Sequence, residues 1–203
     1  MKKPSPPRRF QTASLFLFPI LFLASASVAL AHPGHGPADG IGSGFAHPLS
    51  GWDHVLAMLA VGIWAAQLRA PRLIPAAFLL LLAAGAAGGH LLGAIPGVDQ
   101  AIAASVLVLG LLLARAVKLP LGIAATITGF FAVFHGLVHG AEMPATAGGL
   151  AYGAGFVAAT ALLLTAGVAL GTLSLRRSAR LPQVAGWAIA AAGAIFLLYC
   201  PGP

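Results

Sequence analysis

At 203 residues, 59% hydrophobic and 7% charged, with a mean hydropathy of +0.95, the chain is too apolar for a soluble domain. It reads as an all-α integral membrane protein. The net charge of +7 does not make it a nucleic-acid binder, because the cations are not spread over a surface. Lys2, Lys3, Arg8 and Arg9 open the chain, and Arg69/Arg72, Arg115/Lys118 and Arg176/Arg177/Arg180 form short clusters between apolar runs. The single cysteine, Cys200, excludes an internal disulfide and a thiolate metal cluster.

In chain order, the basic start leads into the apolar run 15–23 and then into small residues ending Ala29-Leu30-Ala31. That is a signal-peptide pattern over residues 1–31, with an A-x-A cleavage site. The expected mature chain, one membrane domain over 32–203, begins His32-Pro33-Gly34-His35. There a free amine, the His32 ring and His35 form a candidate metal-capture tail.

Six apolar spans follow, near 48–68, 73–93, 98–117, 119–140, 147–173 and 183–200. Small residues four apart, Gly85/Gly89, Gly136/Gly140, Gly149/Gly153 and Gly167/Gly171, predict close helix packing in a six-helix bundle. The loops after the first, third and fifth spans hold the remaining seven cations, and those at 94–97 and 141–146 hold none. The positive-inside rule places the odd loops in the cytoplasm and both mature termini outside.

This orientation sorts the ionisable residues. His47, Asp53 and His54 open the first span, His90 closes the second, Asp99 opens the third, and His135, His139 and Glu142 close the fourth. All lie at the outer end, although an ionisable group at the bilayer centre costs about 2.5–3.5 kcal/mol on insertion scales. His47 and His54, seven apart, are expected about 20° apart on one helix, with Pro48 at its first position and His47 at the cap. His135, His139 and Glu142 share an arc of about 60° if their helix persists, and Gly140 and Pro144 predict fraying there. Taken singly, His90 equally suits an interhelical hydrogen bond and Asp99 a helix N-terminus. Met58, one turn after His54, and Thr128, on the stripe of His135, extend the line inward as candidate pathway residues, though packing is the commoner role of a methionine.

The segment His47-Pro48-Leu49-Ser50-Gly51-Trp52-Asp53-His54, followed by Met58 and Val61-Gly62, resembles the first-helix signature of the HupE/UreJ family. Phe134-His135-Gly136-Leu137-Val138-His139-Gly140-Ala141-Glu142 resembles its second signature. The resemblance implies a hydrogenase or urease accessory protein of the bacterial inner membrane that acts as a nickel permease, with cobalt second. It also implies that His47, Asp53, His54, His135, His139 and Glu142 contact the ion. Asp99 stands where a glutamate is expected, with a shorter reach.

The residues themselves leave three readings open. Imidazole and carboxylate donors suit a divalent transition metal as transported ion rather than a permanent cofactor. The same donors would serve a metal-dependent intramembrane hydrolase or an outward-facing metal receptor. Polar groups continuing into the inner half of the bundle would favour transport; Thr128 hints at such a line. Hydroxyls such as Ser105 and Thr165 are too common in helix packing to add weight. The expected partners are the bilayer, the divalent ion and, through the resemblance, the maturation of hydrogenase or urease.

Overall fold

The computed structural model describes residues 40–143 and 148–200. The signal segment and the tail histidines His32 and His35 lie outside the described residues. Within them the chain forms seven helices: α1 (Ile41–Ser50), α2 (Trp52–Gln67), α3 (Leu73–Leu92), α4 (Val98–Ala114), α5 (Leu121–Ala141), α6 (Gly149–Arg177) and α7 (Arg180–Tyr199).

Four of these, α3, α5, α6 and α7, are long and apolar enough to cross a membrane. The first expected span departs from its prediction. It is two helices, bent by 84° at Gly51, that together pass the same test. Pro48 lies inside α1 rather than at a first helical position, and His47 sits in the last turn of α1, not at a cap. Proline cannot donate its i→i−4 hydrogen bond, and the following Gly51 adopts an extended conformation, so the ladder stops there. His47 and His54 therefore lie on different helices. The expected span 98–117 also shortens. α4 has 17 residues, about 25 Å at 1.5 Å per residue, less than the hydrocarbon thickness of about 30 Å.

Glycines zip the helices into three close pairs. α3 and α5 run parallel, with Gly85 and Gly89 against the backbone of Val133 and Leu137, and Gly136 and Gly140 against Leu82 and Ala86. A Cβ at any of these four would overlap main-chain atoms of the neighbouring helix, so only glycine permits the approach. Gly62, Gly167 and Gly171 join α2 to α6, while Gly44 and Gly155 seat α1 on the same helix. Gly110, Gly186 and Gly193 join α4 to α7. Among the described residues Gly153 makes no such approach; a Cβ there would meet the Met143 sulfur at 3.5 Å.

Where the pairs meet, Trp64, Phe78, Met58, Ile74 and Leu109 fill the core at 0–1% exposure. Trp64 Nε1 also donates to the Val117 carbonyl at 2.9 Å, tying the end of α2 to the turn after α4.

Candidate metal site

α1, α2, α4 and α5 enclose a cavity of about 240 Å³ at one end of the bundle. Its walls include His47, Ser50, Gly51, Asp53, His54, Asp99, His135, His139 and Glu142. The break at Gly51 is part of that wall, which suits the general rule that irregular backbone at membrane depth lines a cavity. The basic clusters follow the opposite, C-terminal ends of α2 and α4.

Each donor is placed by its helix. On α5, His135 and His139 are one turn apart, and each precedes a glycine of the α3 contact. The glycine stripe facing α3 therefore turns the imidazoles about 100° aside, into the cavity. The helix keeps its phase to Glu142, whose backbone remains αR and whose amide bonds to the Val138 carbonyl at 3.2 Å. On α2, Asp53 Oδ1 accepts the His54 amide at 2.7 Å. It thus satisfies a free donor of the first turn and places a carboxylate at the positive end of the helix. Asp99 occupies the first turn of α4, exposed at the cavity wall.

Two sets of three donors result. In the deeper set, His54 Nδ1 lies 3.1 Å from His135 Nδ1 and 3.1 Å from His139 Nε2. His54 and His135 are 1% and 0% exposed. In the shallower set, His47 Nε2, His139 Nδ1 and Glu142 Oε2 are separated by 2.8, 2.9 and 3.2 Å. Both sets use His139, through opposite ring nitrogens. A neutral imidazole has only one unprotonated nitrogen, so His139 serves one set at a time. The Glu142 carboxyl is held at about 2 by its hydrogen bonds to His139 and then His47, against the opposing effect of burial. It is therefore anionic at neutral pH, as a cation-binding group requires.

Aromatic rings of α6 back the histidines. Phe156 stands 4.8 Å from the His139 ring centroid and 5.5 Å from that of His54, and Tyr152 stands 5.7 Å from His47.

Not every expected residue joins the site. His90 is exposed and absent from the cavity wall, because α3 contributes nothing to that wall and packs on α5 outside it. Met58 is buried in the apolar core, and the Thr128 hydroxyl donates to the Ala124 carbonyl at 2.9 Å; neither lines the cavity. Conversely, sequence reasoning set Ser105 aside and overlooked Thr160, yet both contact the deeper histidines. Ser105 Oγ is 2.9 Å from His135 Nε2, and Thr160 Oγ1 is 3.4 Å from His54 Nε2. Apart from these side chains and Thr128, the buried residues among those described are largely apolar.

The fold and site define a multi-pass, all-helical membrane protein that gathers imidazoles and carboxylates at one end of its bundle. Residues 20–196 match the family described as HupE / UreJ protein, and the chain belongs to that family. It is 45% identical over 184 residues to Protein HupE of Rhizobium leguminosarum bv. viciae, covering 87% of this chain and 93% of the relative. No solved structure matches the chain.

Proposed function

We propose that the protein is a permease for uptake of a divalent transition metal, nickel first and cobalt second, across the bacterial inner membrane. The ion would supply the maturation of a metalloenzyme such as hydrogenase or urease, the role that membership of the family implies. In this reading residues 1–31 are a cleaved signal peptide. The broken α1–α2 pair and the short α4 complete six crossings, and the cavity faces outward, since the cations gather at the other end.

The observation that carries the reading is the pair of donor sets sharing His139. Bonds of about 2.1 Å put neighbouring donors about 3.0 Å apart in an octahedral site and about 3.4 Å apart in a tetrahedral one. The separations of 2.8–3.2 Å, which are also hydrogen-bond lengths, bring the donors of each set within reach of one ion in either arrangement. Three protein donors leave other positions to water, which keeps binding weak enough for release. An ion entering from outside meets His47, His139 and Glu142 first. It reaches His54 and His135 when His139 exchanges the nitrogen it offers.

The largely apolar character of the other buried residues favours a second reading, an outward-facing metal receptor that never transports. Uptake of ⁶³Ni into sealed vesicles carrying the protein, with Co²⁺ and Zn²⁺ as competitors, separates the two. Radioactivity retained inside after an external chelator wash supports the permease. Radioactivity wholly removed by the wash supports the receptor.

A further inference from the structure

A permease site of the proposed kind has one further requirement. Each ligand histidine must keep one particular nitrogen unprotonated, and a free imidazole has no reason to choose. We propose that Ser105, reinforced by Thr160, is a positioning residue that selects the ligand nitrogen of the deeper histidines.

The neighbours of Ser105 fix the position of its proton. Its Oγ lies 2.6 Å from the Ile102 carbonyl oxygen. Two oxygens approach this closely only with a proton between them, and the carbonyl has none to give. The hydroxyl therefore donates to Ile102 and is left as an acceptor. His135 Nε2, at 2.9 Å, must be the donor. The ring then carries its proton on Nε2 and presents an unprotonated Nδ1 to His54 Nδ1 at 3.1 Å. Ser105 and His135 are both 0% exposed, so water does not compete for either group.

Thr160 plays a different part. Its buried hydroxyl faces His54 Nε2 at 3.4 Å, and among the described residues it makes no bond to a backbone carbonyl of the kind that commits Ser105. It can donate to Nε2 while His54 Nδ1–H points at His135. It can accept from Nε2–H when His54 Nδ1 turns its lone pair to an ion. One committed and one reversible hydroxyl give the deeper set a fixed partner, His135, and an adjustable one, His54. Such outer partners of ligand imidazoles typically govern metal affinity by 10–100-fold.

The test uses the full chain in lipid bilayers, with Co²⁺ as the probe. Calorimetry and the cobalt absorption spectrum report binding, ¹⁵N NMR of labelled histidine reports tautomers, and thermal melting reports folding. His135 is assigned by the signal missing from His135→Gln. In the parent chain His135 is expected as the Nε2–H tautomer. Ser105→Ala should bind Co²⁺ 10–100-fold more weakly, with His135 divided between tautomers and melting little changed; Thr160→Val should weaken binding without altering the His135 tautomer. A folded Ser105→Ala chain with parental affinity and parental tautomer overturns the inference and leaves the permease reading standing. Should Ser105→Ala fail to fold, the parent spectrum decides, since an Nδ1–H signal for His135 overturns the inference and an Nε2–H signal supports it. A parent chain that binds no Co²⁺ overturns both readings together.

Discussion

His47 Nε2 and His139 Nδ1 meet at 2.8 Å although 92 residues separate them in sequence. The opposite nitrogen of the same His139 ring stands 3.1 Å from His54. One side chain thus joins a half-exposed set of donors to a buried one, and the proton on its ring decides which set is complete.

Because that ring is shared, the two sets together should bind one ion, not two, in a chain whose tail histidines His32 and His35 are replaced. Equilibrium dialysis with Ni²⁺ checks the number. A stoichiometry of two would mean that the sets fill independently and that His139 is not their common member. His139→Ala should depress binding further than His47→Ala, since it removes a donor from both sets.

His54→Ala and His135→Ala should reduce ⁶³Ni uptake to background at near-normal membrane abundance. Each deletes a donor, while the helix pairs remain held by glycine contacts that do not involve it. Quantifying the protein in the same membranes is essential, because abundance falling in step with uptake would make these histidines structural.

His90→Ala should leave uptake within about twofold of the parent. The residue is exposed, on a helix outside the cavity wall. Substitutions at such surface positions usually stay within about 0.5 kcal/mol. Strong loss of uptake would place His90 on the path of the ion after all.

Uptake should decline as the external pH falls from about 7 to 5, since protonated imidazole cannot bind metal. Glu142 does not cause this decline. Its carboxyl is depressed to about 2, so its charge, and what that charge contributes to the folded site, is complete above the ordinary carboxylate range. Both are lost only as pH falls toward 2. Glu142→Gln should lower uptake at pH 7, because it removes an ionised donor from the shallower set; uptake equal to the parent's at that pH would remove Glu142 from the site. The comparison is made at fixed membrane potential without a pH gradient, and acceleration only with an inward proton gradient would identify a proton-coupled carrier.

Gly140→Leu should separate α3 from α5, because its first side-chain carbon already collides with the Ala86 backbone. Overpacking of this kind costs about 1–3 kcal/mol or more, read as a lower melting temperature together with weakened Co²⁺ binding. Gly122→Ala is the control. Nothing lies within 4 Å of its Cβ position, and alanine is the better helix former by about 1 kcal/mol. Destabilisation by the control would remove close packing as the explanation.

Sequence alone was enough for the helical class, for most helix positions and for gathering the donors at one end. Long apolar runs have few alternatives to helix in a bilayer, and the chain ends of those runs carry the ionisable residues. It also located the glycine stripes at 85/89 and 136/140, since a four-residue spacing returns to the same face. Tertiary structure decided the rest. His47 reaches His139 because Pro48 and Gly51 interrupt the helix and α1 packs on α6, a turn that periodicity cannot express. His90 has the same residue type and the same membrane end as the others. It is left out because Gly85 and Gly89 fasten α3 on the side of α5 away from the cavity. Ser105 and Thr160 look like ordinary packing hydroxyls in the sequence. Only the approach of α4 to α5 and of α6 to α2 reveals which imidazole nitrogen each one faces, because hydrogen bonds between helices depend on rotations that no single helix encodes.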